Sequence, residues 1–203
     1  MSTVERSESP PGRARRQRMS VEQYERLIAH GVIDADAPVE LIEGRIVGKM
    51  TRGDAHCVAA QMVQDALASL RGAGSGWLVW VEKPVAIPDR RSMPEPDVSL
   101  VRGVPADYLD GAPRPDRVAV IVEVADTSLR RDRRRARIFV AGGIPECWVL
   151  NLVQGRLEVF RPGADPEIIG PEGSVELVLD GKLVARIAVA DLLPRRKATD
   201  TPR

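Results

Sequence analysis

The sequence is poor in the groups that most often announce a chemistry. Its 203 residues include two cysteines, two histidines and only 3% aromatic residues. Cys57 and Cys147 lie far apart and form no metal-ligand spacing, which excludes a zinc ribbon or a disulfide-stapled scaffold. Both read as ordinary half-buried residues. So few rings argue against base stacking as the main way of holding single-stranded nucleic acid. No apolar run approaches the ~18–20 residues of a membrane span, and the N-terminus has no signal-peptide core, so a soluble, cytoplasmic chain without membrane contact is expected. Charge of one sign is also lacking. Lys and Arg number 30 against 29 for Asp and Glu, a net charge of +1, so any nucleic-acid site must be local. A glycine-rich phosphate loop, a Ser/His/Asp order and a nucleophilic cysteine context are all missing.

What is present is a globular composition, 43% hydrophobic and 29% charged. Residues 1–18 mix Ser, Pro, Gly and Arg and read as a disordered basic tail, residues 195–203 as a second loose tail, and 19–194 as one domain. Ser20 followed by Gln23 is a capping box for a short helix with Tyr24, Leu27 and Ile28 on its apolar stripe, stopped by Gly31. Val39–Ile42 and 45–47 flank Glu43-Gly44 as a hairpin. Asp54 can cap a second helix with Val58, Met62, Val63, Ala66, Leu67 and Leu70 on one face, ended by the glycines at 72–76. Residues 77–81 and 85–87 look like strand, broken by Pro84. A turn-rich loop then delivers Asp97 into a strand at 98–101.

The nearly continuous Val/Ile run at 118–124 reads as a central strand covered on both faces. Helical spacing follows at 130–141, then strand pairs at 147–150 with 157–160 and at 175–179 with 183–189. The pattern predicts an α/β fold, a mixed sheet flanked by helices with additional hairpins.

Two acids carry the chemistry. Asp97 opens a strand behind a proline, and Glu123 interrupts the most apolar stretch of the chain. A carboxylate in a buried strand is costly unless it is paired, hydrogen-bonded or metal-bound. Taken alone, Glu123 reads equally as a structural ion pair with an arginine from the following helix. Taken with Asp97, it makes a pair at neighbouring strand ends that can hold Mg²⁺. Glu40 is either a third carboxylate or an outward-facing strand residue. Arg130, Arg131, Arg133, Arg134, Arg135 and Arg137 crowd one helix start, relieved only by Asp132, and arginines beside a metal site suit a phosphodiester. His30 suits a helix C-terminus, and His56 reads either as a residue approaching the site or, the plainer reading, as a surface histidine.

Glu40-Leu41-Ile42-Glu43-Gly44, His56 opening a helix, Pro96-Asp97, Val122-Glu123-Val124 and Gly143-Ile144-Pro145-Glu146-Cys147-Trp148 occur in this order. Together they resemble the Uma-type putative restriction endonuclease family of the PD-(D/E)XK nuclease superfamily, over about 20–193. The resemblance implies a restriction-endonuclease-like core and a metal-dependent endonuclease acting on DNA. Mg²⁺, or Mn²⁺ in its place, would be held by Asp97, Glu123 and the backbone carbonyl of Val124. Glu40 would assist as an outer-shell or second-metal ligand, and Arg130, Arg131, Arg134 and Arg135 would meet nucleic acid. A homodimer is attractive because one site cuts one strand.

The superfamily lysine normally two positions after the second acid is absent, and Ala125 stands there. Counted back from Gly143-Ile144-Pro145, the family's basic position in the following helix is Arg135. Lys83 is a conceivable substitute, though a strand-end lysine is its plainer role. Arginine can hold a phosphate but cannot exchange a proton as a tuned lysine does. The alternative is therefore a weak or inactive nuclease-fold module that binds nucleic acid or a protein partner.

Overall fold

A computed structural model describes residues 18–69 and 76–194; the N-terminal tail up to residue 17, the C-terminal tail, Leu70 and all but Gly76 of the loop proposed to end the second helix lie outside the described residues. Helix α1 (Val21–Ala29) opens on the expected capping box: the Gln23 N–H donates to Ser20 Oγ at 3.2 Å, and the Ser20 N–H to Gln23 Oε1 at 2.8 Å. Strands β1 (Val39–Ile42) and β2 (Arg45–Gly48) form the first hairpin. Its turn places Glu43 at φ 47° and Gly44 at φ 75°. Two successive left-handed residues match the twist of a tight hairpin. A Cβ on Gly44 would also stand 2.6 Å from that of Arg18.

Helix α2 (Asp54–Ser69) leads to β3 (Trp77–Val81), β4 (Val98–Arg102) and β5 (Val118–Ala125). Helix α3 (Leu129–Ala141) then crosses to β6 (Glu146–Asn151), followed by β7 (Arg156–Phe160) and β8 (Glu167–Ile169). These strands make one six-stranded sheet in the order β3-β4-β5-β6-β7-β8. Only β5 and β6, joined through α3, run parallel within it. The hairpin of β9 (Ser174–Leu179) and β10 (Lys182–Ala188) completes the described fold.

Two apolar layers sandwich the sheet. On one face Ala59, Val63 and Leu67 of α2, with Val175, Leu177 and Ile187 of the last hairpin, cover Val98, Leu100, Val120, Val122, Trp148 and Leu150. On the other, Ala136 and Phe139 of α3 pack on Ile121, Cys147 and Val149. Strand β5 is thus covered on both sides, as its unbroken apolar run predicts.

Several expectations are corrected. Residues 85–87 form no strand: the Val85 N–H donates to Pro94 O, that of Ala86 to Pro113 O and that of Ile87 to Ser92 O, so no ladder develops. The buried stripe of α2 runs through His56, Ala59, Ala60, Val63 and Leu67, while Val58 is exposed. Small alanines let the helix approach the sheet, and this rotates the stripe away from Val58. Cys57 is exposed and Cys147 buried, so neither is half-buried. The short edge strand β8 carries no apolar alternation long enough to announce it.

Candidate active site

Strands β4 and β5 pair antiparallel with Val98 opposite Val122. One residue further along, Asp97 faces Glu123. Val122 and Val124 point into the layer beneath α2, so alternation sends Glu123 to the face covered by α3. Both acids are 4% exposed. They lie in a cleft to which β1, the loop before α2, the start of α2 and the N-terminal half of α3 contribute. The cleft is lined by six carboxylates (Glu40, Glu95, Asp97, Glu123, Asp126, Asp132) against four Lys and Arg side chains (Lys49, Arg52, Arg131, Arg135).

Asp97 is held ionised. Its Oδ2 accepts the Val124 N–H at 2.7 Å, and its Oδ1 lies 3.1 Å from both His56 Nε2 and Arg52 Nη2. Burial opposes its charge, but these contacts outweigh it and keep the carboxyl below the usual range. Glu123 behaves oppositely. Burial, aided by the charges of Asp97 and Asp132, pushes it up to about 8 even though Arg135 pulls it down. The two acids facing each other on one rung are thereby driven apart.

Arg135 reaches into this arrangement from α3. Its Nε donates to Glu123 Oε1 at 2.8 Å, its Nη1 to Glu40 Oε1, and its Nη2 to the Glu95 carbonyl at 3.3 Å. Burial works against its charge, but Glu123 and Glu40 raise its pKa further above the ordinary arginine value. Glu40 Oε2 accepts the Glu95 N–H at 3.2 Å. At the rim Lys49 pairs with Glu95, Arg52 also reaches Glu82 at 2.7 Å, and Arg131 stands 3.7 Å from Asp132, which accepts from the Ser128 hydroxyl.

The structure thus brings Glu40, Asp97, Glu123, Val124 and Arg135 to one place. Glu40 is buried, not outward-facing, and Glu123 does make the ion pair with an arginine of the next helix. The remaining arginines of α3 disperse. Arg131 lines the cleft, Arg134 pairs with Glu43, Arg133 with Glu158, Arg137 covers the ring of Phe160, and Arg130 is exposed outside the cleft. Lys83 lies over Trp80 and does not line the cleft. For His56 the plainer reading is corrected: it is buried against Asp97 and reaches the site, and is not a surface residue. Its position on the Ala59/Ala60/Val63/Leu67 stripe was the available signal. Lys49, Arg52, Glu95 and Asp132 were missed; Asp132, alone among the arginines, was the only one of them marked by the sequence.

Among the described residues no three Asp, Glu, His or Cys side chains converge as a metal-binding group. What the cleft offers is a pair of carboxylates from adjacent strands within an acidic excess. This donor set suits a hard divalent cation such as Mg²⁺, which is commonly bound through one or two carboxylates and keeps several of its waters.

The crystal structure of a putative nuclease belonging to DUF820 from Anabaena variabilis superposes with a TM-score of 0.66 at 16% identity, covering 86% of this chain and 97% of that one. This likeness extends to the fold. No curated protein matches the sequence. Residues 21–188 match the Uma2 family, described as putative restriction endonuclease, and the chain belongs to that family.

Proposed function

We propose that the protein is a divalent-metal-dependent endonuclease that hydrolyses phosphodiester bonds in DNA. The observation that carries the reading is the Asp97–Glu123 rung in an acid-rich cleft, on a chain whose family is described as putative restriction endonuclease. Asp97, Glu123 and the carbonyl of Val124 would hold Mg²⁺ or Mn²⁺. Such an ion supplies Lewis acidity to water and charge stabilisation to the leaving oxygen.

The protein's own groups do the rest. The Val124 N–H, His56 and Arg52 keep Asp97 charged and oriented. Arg135, anchored on Glu40, fixes the Glu123 carboxylate. Lys49 and Arg131 at the rim can take phosphate oxygens on either side of the scissile bond, Arg131 through forked contacts. Arg130 and Arg134 lie further along α3 and would meet a longer duplex. A homodimer would address both strands, since each site cuts one.

The test is cleavage of supercoiled plasmid with Mg²⁺ or Mn²⁺ by wild type, Asp97→Asn and Glu123→Gln, with thermal melts alongside. Both variants should fold and lose divalent-dependent cleavage. Undiminished cutting by both would sink the assignment.

One feature favours the second reading, a module without turnover. Ala125 stands at the superfamily lysine position, and all three guanidinium nitrogens of Arg135 have protein acceptors. Arg135→Lys separates the two readings. Raised cleavage would mark a slow enzyme, and salt-sensitive DNA binding with no turnover would mark the module.

A further inference from the structure

The oxygens around Arg135 are unequally committed. Both carboxylate oxygens of Glu40 are satisfied by fixed groups, Oε1 by Arg135 Nη1 and Oε2 by the Glu95 N–H. Both oxygens of Asp97 have contacts, but one of those partners, Arg52, is a half-exposed rim side chain shared with Glu82. Glu123 has given only Oε1 to Arg135. Among the described residues, Ser99 Oγ is the one fully buried side-chain nitrogen or oxygen left without a hydrogen-bond partner, so Glu123 Oε2, which accepts no hydrogen bond, is open to the cleft.

Arg135 is 8% exposed, and its planar fork spans two carboxylates carried by different strands. A guanidinium keeps its charge throughout the working pH range. A carboxylate–cation–carboxylate bridge is also what a bound ion makes between two acids. Here the cation is covalently part of the chain.

We propose that Arg135 is a built-in cation filling the position between Glu40 and Glu123, so that the cleft takes a single divalent ion on the Asp97 side of Glu123. Glu40 is then a positioning residue acting through Arg135, not a metal ligand. A second divalent ion is excluded twice over: the bridge between the acids is occupied, and a fixed positive charge stands beside it. The inference rests on the proposed function only in needing Asp97 and Glu123 to bind a divalent ion.

The experiment counts ions. Mn²⁺ is titrated into the full-length protein, with calorimetry and the electron paramagnetic resonance signal of free Mn²⁺ both reporting ions bound per chain. Wild type should bind one ion and E123Q none. E40Q should keep one ion, weakened by about tenfold as for loss of an outer-shell partner. R135Q should gain a second, and R135K, which restores the charge, should return to one. Two ions in wild type falling to one in E40Q would overturn the inference while leaving the nuclease reading standing. A folded R135Q that still holds one ion would overturn it as well. No ion in wild type would bring down the nuclease reading, and this inference with it.

Discussion

Replacing Arg135 by methionine keeps most of the stem and removes the charge. The arginine side chain is 9% exposed, and its two carboxylate partners are 6% and 5% exposed. Deleting one partner of a buried ion pair costs about 3–5 kcal/mol, because the other is left uncompensated. For a domain of this size each kcal/mol moves the melting temperature by roughly 2–4 °C, which gives a loss of roughly 6–20 °C near pH 8. The pH dependence has a definite sign. Glu123 is already raised in the folded protein, to about 8 against an ordinary value of 4.5. A raised acid keeps a proton that the unfolded chain releases, so folding stability falls as pH rises above the unfolded value and levels off past the folded one. Without Arg135, which draws Glu123 down, the folded value climbs further. The slope, about 1.4 kcal/mol per pH unit, then continues to higher pH than in wild type. Melting curves of both proteins from pH 5 to 9, without divalent ions, should therefore run in parallel up to about pH 8 and diverge above it. A variant that melts with wild type at pH 8, or a gap that narrows with rising pH, would refute the claim that Arg135 compensates buried charge.

Three further outcomes are expected. Glu158 is fully buried; burial raises its pKa, but hydrogen bonds from Arg133, Asn151 and Arg156 prevail and bring it to about 2. It should contribute at most about 3 kcal/mol that is present above the unfolded value of 4.5 and lost as pH falls toward 2, so Glu158→Gln should be less stable than wild type at neutral pH, with the gap closing as pH falls toward 2 in denaturation followed by circular dichroism; a gap that stays constant with pH would count against it. Gly142→Ala would drive a Cβ into the buried Ile87 Cγ2 beside Ile138 O, and calorimetry should show a loss of about 1–3 kcal/mol; an unchanged melting point would mean the loop yields freely. Arg131→Ala should weaken DNA binding and reduce the slope of log affinity against log salt by about 1, with no change in melting temperature, whereas Arg137→Ala should leave both unaltered in fluorescence anisotropy.

The features most legible in the sequence were those whose physics is local. The Ser20/Gln23 cap, the Glu43-Gly44 turn and the unbroken apolarity of β5 each state their structure within a few residues. The acids of the site were readable because a carboxylate inside an apolar strand demands compensation, whatever supplies it. What supplies it was harder to see. Six arginines in one run look like a single basic patch, yet helical rotation sends Arg131 and Arg135 to the cleft, Arg133 to Glu158, Arg134 to Glu43 and Arg137 to Phe160. Arg52 and Lys49 sit in irregular chain between β2 and α2, where no periodicity assigns a direction. His56 was hidden by taking Val58 as the start of the α2 stripe, a shift of two residues that turns a buried contact of Asp97 into a surface side chain.

The cross-connection made by α3 also fixes an order in time. Glu40, Asp97 and Glu123 leave the ribosome before the arginine that neutralises two of them, and before the helix that roofs their side of the sheet. Sealing these carboxylates away from water without that cation is the expensive step, so the face of β4 and β5 that carries them stays wet in the nascent chain until residue 135 has emerged. The floor of the cleft is therefore closed by the same helix that brings its countercharge, and a chain halted between β5 and α3 holds the acids but cannot fold them in.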